Sequence, residues 1–286
     1  MLAAALASGR VVLADGGLGT ALFAAGLPRD AAPETWTEAR PEAVRAVHRA
    51  AIAAGARVIL TNSFGANPAR LARWGAAPRL EALNRAAARL ARAEAGPGVT
   101  VAGAIGPLGA PTDRGEAAAA FEAQGRALLA GGADLLWLET FGALAELAAA
   151  VEGLARIGAP WCATLSFSAD GRSWGGATPA DFAAEAGRAP LPPLALGANC
   201  GAGPQAALDA LDGLRAAGVT LPLIAKANGG LPRAGEGGLA YDVTPAEMAR
   251  YAVAARARGA GIVGGCCGVG PEHLAAMAAA LEEEIA

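Results

Sequence analysis

The feature that most constrains the fold is a series of eight short apolar segments, each followed by glycine, asparagine, serine or an acidic residue. Each segment has the length of one β-strand and is apolar nearly throughout, which is typical of parallel strands covered on both faces. Stretches with apolar residues at helical spacing lie between them. The eight segments are RVVLADGG (10–17), ARVILTNSFG (56–65), VTVAGAIGPLG (99–109), ADLLWLETFG (133–142), PWCATLSFS (160–168), PLALGANCG (193–201), PLIAKANGG (222–230) and AGIVGGCCG (260–268).

A strand followed by a helix, repeated eight times, predicts an α/β protein folded as a single (β/α)8 TIM barrel over residues 1–286. A doubly wound open sheet is the alternative, but no G-x-G-x-x-G follows the first segment. The longer connection over 18–40 is expected to cover the mouth of the barrel. Active sites of such barrels lie at the carboxyl ends of the strands, so the residues there are the candidates for function.

The composition excludes several classes of partner and location. No continuous apolar run reaches the roughly 20 residues of a membrane-spanning helix, and the start MLAAALASGR lacks the basic residues of a secretory signal. A net charge of -3 argues against a nucleic-acid partner. We therefore expect a cytoplasmic protein, in which clustered cysteines indicate metal binding or catalysis instead of disulfides.

Three of the four cysteines lie at predicted strand ends. Cys200 ends the sixth segment, and the adjacent Cys266 and Cys267 end the eighth, so all three are expected at one rim of the barrel. Three thiolates suit Zn²⁺ and leave its fourth tetrahedral position open, which is typical of a catalytic site. The alternatives are cysteines that pack the core and a vicinal disulfide. Cys162 lies inside the fifth segment and is interpreted as a core residue.

The predicted zinc site has a particular chemistry. With three thiolates the complex carries a net charge of about -1, which makes it a poor Lewis acid for a carbonyl group. Coordination does deprotonate a further thiol. The pattern therefore predicts activation of a substrate thiol for alkyl transfer better than it predicts hydrolysis.

Six motifs resemble those of the homocysteine S-methyltransferase family and follow one another along nearly the whole chain. The resemblance implies a (β/α)8 barrel, Zn²⁺ on Cys200, Cys266 and Cys267, and homocysteine as the methyl acceptor that becomes methionine. The motifs are DGGLGT (15–20), TNSFGAN (61–67), WLET (137–140), GANCGAGP (197–204), KANGGLP (226–232) and GGCCGVGPEHL (264–274).

The amino-acid part of homocysteine needs its own contacts. Glu139 and Asp15 are acids at strand ends, and either is a candidate catalytic and substrate-binding residue that pairs with the ammonium group. The backbone N–H groups of Gly16 and Gly17 are candidates for holding the carboxylate. Three asparagines are assigned to substrate binding or to orienting loops and zinc ligands, with cap and turn roles as the alternative: Asn62, Asn199 and Asn228.

Two rival functions stay open at this point. Lys226 at a strand end permits a barrel lyase or aldolase that forms a Schiff base, although a structural or salt-bridged lysine is favoured. A non-catalytic zinc-binding barrel would need no amino-acid clamp. His273 as a fourth zinc ligand would close the site.

The methyl donor is the prediction that the sequence determines least. A sequence of 286 residues has no room for the folate- and cobalamin-binding domains of the large methionine synthase, so we expect an onium donor. Betaine is favoured over S-methylmethionine and S-adenosylmethionine, and Trp36 is a candidate aromatic face for the cation, with loop packing as the alternative. A homo-oligomer, or a corrinoid-protein partner in a split methionine synthase, stays open.

Overall fold

The computed structural model describes residues 2–110, 112–235 and 238–283, and eight parallel strands form a barrel. Hydrogen bonds join them in the order β1-β10-β7-β6-β5-β4-β3-β2. A parallel bridge between Ala14 and Val58 closes the ring between β1 and β2. The predicted (β/α)8 barrel is confirmed. The strands are β1 (Val12–Leu13), β2 (Val58–Leu60), β3 (Thr100–Ile105), β4 (Leu135–Phe141), β5 (Trp161–Leu165), β6 (Ala195–Cys200), β7 (Leu223–Ala227) and β10 (Ala260–Gly265).

Helices connect successive strands and surround the barrel. Their sequences carry typical start signals, since Thr178 and Thr244 are the N-cap residues of α9 and α11, each in a capping box and each followed by proline. The helices are α1 (Leu2–Ala7), α2 (Leu18–Ala24), α3 (Trp36–Ala39), α4 (Pro41–Ala53), α5 (Pro68–Ala72), α6 (Leu80–Glu94), α7 (Arg114–Ala130), α8 (Leu144–Ala155), α9 (Pro179–Ala186), α10 (Pro204–Ala216), α11 (Pro245–Ala257) and α12 (Pro271–Glu283).

The core has two layers, one inside the barrel and one between the strands and the helices. Alternate residues of each strand face the interior, where Trp137 and Ile224 lie together and Leu2 of α1 joins them. Two residues further along the same strands, Glu139 and Lys226 continue these inward faces. The polar site at the mouth is therefore the last layer of the barrel interior.

Three elements were not anticipated from the sequence. The helix α1 precedes the barrel, α5 lies between β2 and α6, and a hairpin of β8 (Arg233–Gly235) and β9 (Gly238–Ala240) lies between β7 and α11. Within the described ranges, no helix combines the length and the apolar character needed to cross a bilayer.

Candidate metal centre

Three cysteines converge at the carboxyl ends of β6 and β10. The Sγ atoms of Cys200, Cys266 and Cys267 all lie within 4.8 Å of one another, and each side chain is half-buried. Tetrahedral zinc with Zn–S bonds of about 2.3 Å places its sulfurs about 3.8 Å apart. Small adjustments would therefore bring this cysteine cluster onto one ion. Cys162 is fully buried inside the barrel, which confirms its core role.

One asparagine holds a strained stretch of backbone beside the cysteine cluster. Thr140 and Cys200 both have φ of 59°, and they are the non-glycine residues with positive φ in the described part of the chain. Such a conformation costs on the order of 1–3 kcal/mol and persists only where the surroundings impose it. The buried Asn199 imposes it, since its Oδ1 accepts from Thr140 N at 2.8 Å and its Nδ2 donates to Thr140 Oγ1 at 2.6 Å. The same Nδ2 lies 3.7 Å from Cys266 Sγ, which places Asn199 behind the cluster.

The glycines of the DGG motif let β1 approach the cysteine loop. A Cβ on Gly17 would lie 2.6 Å from the Cys266 carbonyl oxygen, and one on Gly16 would lie 2.2 Å from that of Val269. Gly17 N also donates to Val269 O at 3.1 Å, so this N–H is not free for a substrate. Close packing is thus one demonstrable reason for both glycines.

The remaining asparagines also have structural partners. Asn228 Nδ2 donates to Gly201 O at 3.0 Å, directly after Cys200, while its buried Oδ1 has no partner within the described residues. Asn62 Nδ2 donates to Pro33 O and Thr37 Oγ1 at 2.8 and 3.1 Å. Asn62 therefore fastens the 18–40 connection to the end of β2.

The donor chemistry of the cluster fits a divalent cation. The pKa of the Cys200 thiol is raised to about 11: a hydrogen bond with Cys266 lowers it, and a hydrogen bond with Cys267 together with burial outweighs that effect. The pKa of Cys267 is raised to about 12, where a hydrogen bond with Cys200 lowers it but the neighbouring Cys266 and burial prevail. Three adjacent thiolates are costly without a cation, and soft sulfur ligands favour zinc.

Asp15 is engaged by other groups of the protein. Its Oδ1 accepts from Lys226 Nζ at 2.6 Å, its Oδ2 accepts from Leu60 N at 2.7 Å, and the residue is only 4% exposed. Lys226 is equally buried and also donates to the Asp15 carbonyl oxygen at 2.8 Å. The salt-bridged reading of Lys226 is therefore the right one, and each carboxylate oxygen of Asp15 already accepts one hydrogen bond from the protein.

Glu139 has the opposite character. Its carboxylate is half-buried and forms no hydrogen bond with the described residues. Burial raises the pKa of Glu139 to about 7. The charge of Lys226 opposes this rise, and the charge of Asp15 adds to it. The pKa of the Cys266 thiol is raised by its hydrogen bond to Cys200 and further by the charge of Glu139, which places this acid next to the cluster. An unpartnered carboxylate is available for a cationic ligand.

Trp36 is placed by the structure in a packed cluster with Leu22, Leu27 and Val44, where it is 8% exposed. The Arg40 guanidinium lies 5.6 Å from the centre of its ring. This position favours loop packing over donor binding. The 18–40 connection packs on α4 and α6, and it also reaches the mouth, where Thr20 Oγ1 accepts from Gly268 N at 3.2 Å and Pro33 O accepts from Asn62 Nδ2.

Sequence reasoning assigned no role to Thr140 or Tyr241, and the structure gives no support to His273 as a fourth ligand. Thr140 lies at a predicted strand end and in the WLET motif, but its strained backbone has no sequence signal. Tyr241 follows β9 and lies against Gly268 and Cys267. His273 uses both ring nitrogens elsewhere, with Nδ1 accepting from Gly270 N and Nε2 bonded to Val243 O.

A three-cysteine cluster at the mouth of a (β/α)8 barrel, with an unpartnered acid near it, defines a class of barrel enzymes whose cysteines can hold a metal ion. Comparison with known proteins identifies the family. The family model for homocysteine S-methyltransferase matches residues 12–281, so the chain belongs to the homocysteine S-methyltransferase family.

Individual relatives agree with this assignment. Methionine synthase of Mycobacterium tuberculosis is 32% identical over 96% of this chain, which spans only 25% of that protein. The S-methylmethionine–homocysteine S-methyltransferase BHMT2 of Rattus norvegicus is 32% identical over 98% of this chain and 80% of its own length. The homocysteine methyltransferase MmuM from Escherichia coli, in its metallated form, has a TM-score of 0.81 and 27% identity, covering 94% of this chain and 96% of MmuM.

Proposed function

We propose that the protein is a zinc-dependent enzyme that transfers a methyl group to the sulfur of homocysteine and so forms methionine. The observation that carries this proposal is the meeting, at one barrel mouth, of a three-cysteine cluster and an unpartnered carboxylate. Cys200, Cys266 and Cys267 are the residues that would hold Zn²⁺. When bound, zinc supplies a cation that lowers the pKa of a thiol sulfur placed in its open position.

The protein's own residues orient the substrate. Glu139 accepts a hydrogen bond from the ammonium group of homocysteine, since its carboxylate is free and faces the cluster. The N–H of Gly16, which makes no hydrogen bond with the described residues, is our candidate for the substrate carboxylate. Asn199 and Asn228 fix the loops that carry the cysteines and act as positioning residues.

The proposed reaction is a displacement at the methyl carbon. The homocysteine sulfur gives up its proton to solvent and forms the new S–C bond, while the bond from the methyl group to the donor's onium atom breaks. The donor leaves as a neutral amine or thioether. An onium donor therefore needs no oxidant or reductant.

A small onium compound is the donor we propose, with S-methylmethionine ahead of betaine, because the rat relative is named for S-methylmethionine. The methionine synthase relatives keep a methylcobalamin-carrying partner as the second candidate. A non-catalytic zinc-binding barrel is disfavoured, because storage of zinc gives no reason for a free, half-buried carboxylate at Glu139.

The test supplies homocysteine with S-methylmethionine, betaine, S-adenosylmethionine or methylcobalamin in turn and measures methionine. We expect formation with an onium donor, one zinc per chain, and loss of both zinc and turnover in Cys266→Ala. Cys162→Ala is the matched control and should retain zinc and turnover. Activity with methylcobalamin alone would replace the donor assignment, and no methionine from any donor would overturn the proposed function.

A further inference from the structure

Four large apolar side chains are strongly exposed in the described part of the chain, and all four belong to connections that follow the carboxyl ends of strands. They are Trp74 after β2, Trp174 after β5, and Leu231 and Leu239 after β7. Trp174 is the most exposed of them, at 63%. Exposed apolar side chains concentrated around a barrel mouth indicate a surface that meets a ligand or a partner.

The loop that carries Trp174 is firmly held. The neighbouring Ser173 is buried. Its Oγ donates to Gly142 O at 2.5 Å and accepts from Ala177 N at 3.1 Å. An antiparallel bridge between Phe167 and Ser173 closes the loop. The hydrogen bonds within this loop fix its backbone. Trp174 is therefore exposed on an ordered loop.

This loop spans the two strand ends that carry the site. Gly142 directly follows β4, which bears Glu139, and a Cβ on Gly142 would lie 2.0 Å from Trp174 Cε2, so the indole rests on that backbone. On the other side, Phe167 O accepts from Ala202 N at 3.1 Å, two residues after Cys200. The loop that carries Trp174 is therefore fastened to the backbone that follows β4 on one side and β6 on the other.

Three other aromatic rings of the described residues already have an arginine beside them. Arginine guanidinium groups lie over Phe23, Trp36 and Phe64, at 5.8, 5.6 and 5.0 Å from the ring centres. Among the described residues no lysine or arginine lies over Trp174 in this way. Its ring is an aromatic face at the rim that has no cation of its own.

We propose that Trp174 recognises the methylated onium group of the methyl donor through its exposed indole face, a role that rests on the proposed function. A methylated ammonium or sulfonium is attracted by the quadrupole of an indole ring, and its methyl groups cover the apolar surface. The position of Trp174 beside Gly142 holds the donor on the Glu139 side of the cluster. This residue, and not the buried Trp36, contributes to donor specificity.

Paired probes test the proposal on the zinc-loaded protein by calorimetric titration. Each pair contains a cation and its uncharged carbon isostere: betaine with tert-butylacetate, and S-methylmethionine with homoleucine. We expect wild type to prefer the cation of at least one pair, and Trp174→Ala to weaken that cation's binding by roughly 3- to 30-fold and remove the preference. Trp174→Phe should keep most of it, and Trp74→Ala, which removes another exposed rim tryptophan, should change nothing.

Kinetics separate this inference from the proposed function. In Trp174→Ala the donor KM should rise while the homocysteine KM and zinc content stay unchanged. If wild type makes methionine from an onium donor and Trp174→Ala keeps the same donor KM and charge preference, the inference fails and the function stands. If no donor, methylcobalamin included, yields methionine but binding of the cations still depends on Trp174, the proposed function fails and the binding site stands. Loss of a dimer in Trp174→Ala with unchanged donor affinity would assign the ring to a subunit contact and overturn the inference.

Discussion

The carboxyl ends of β1 and β4 each bring one acid to the barrel mouth, and the two acids differ in what already binds them. Both oxygens of Asp15 are occupied, one by the Lys226 ammonium group and one by Leu60 N. The Glu139 carboxylate has no such partner and carries a pKa raised to about 7 by burial. Position at a strand end therefore identifies residues near the site, whereas hydrogen-bond accounting decides which of them is free for a substrate.

The largest effect should come from replacing Asp15, the acid that Lys226 and Leu60 N already bind. Asp15→Asn removes the carboxylate that is hydrogen-bonded to the buried Lys226 ammonium group and turns an amide N–H₂ toward either Lys226 or Leu60 N. We expect the free energy of unfolding to fall by about 3–5 kcal/mol, measured by urea denaturation of the zinc-free protein. Adding Lys226→Met should recover at least half of the loss, because the unpaired charge is gone. An Asp15→Asn variant as stable as wild type would show that the ion pair does not form.

Replacing Glu139, the acid without a partner, should raise the free energy of unfolding instead of lowering it. A carboxyl with a raised pKa keeps its proton in the folded state between pH 4.5 and about 7, where the unfolded chain has already lost it. The folded state therefore loses stability as the pH rises through this window, and Glu139→Gln removes that loss. Zinc-free Glu139→Gln should match wild type near pH 4 and exceed it at pH 8 by at most about 3 kcal/mol.

The comparison of variant with wild type at each pH is essential here. His48 is buried, its Nε2 has no partner in the described structure, and burial lowers its pKa to about 4. Its folded-state pKa lies below the ordinary 6.5, so it costs stability as the pH falls from 6.5 to 4, opposite in sign to Glu139. A stability difference between Glu139→Gln and wild type that does not change with pH would contradict the surroundings assigned to Glu139.

A smaller effect should appear in substrate binding. A charge-assisted hydrogen bond from an ammonium group is worth about 1.5–3 kcal/mol, so Glu139→Gln should raise the homocysteine KM about 10- to 150-fold with zinc content unchanged. The matched control is the homocysteine analogue that lacks the amino group, whose KM should be the same in both proteins. Equal homocysteine KM values in steady-state assays would remove Glu139 from the site.

The barrel and its cysteines could be predicted because each depends on local sequence. Eight apolar segments of strand length define the sheet, and cysteines at the ends of two of them must share a rim in any (β/α)8 barrel. The approach of Cys200 to Cys266 follows from the strand order, since only β7 separates β6 from β10.

Other features depend on contacts that a single sequence does not encode locally. Asp15 and Lys226 are 211 residues apart and meet only because the barrel closes. The burial of Trp36 comes from packing on α2 and α4, and the glycine-rich β8–β9 hairpin lacks the alternation of a typical hairpin. Trp174 lies in DGRSWGG, which indicates a turn and gives no sign that the turn is fastened to both β4 and β6.

The central claim is that one substrate thiol joins the three cysteines while Glu139 holds the ammonium group of the same molecule. Absorption spectra of the cobalt-substituted protein test this most directly, because a new sulfur ligand changes the sulfur-to-metal charge-transfer and d–d bands. We predict that homocysteine and its analogue without the amino group both change the spectrum, that homocysteine does so at a lower concentration, and that this difference in concentration disappears in Glu139→Gln. An unchanged spectrum on adding homocysteine, or an equally large difference in Glu139→Gln, would contradict the account.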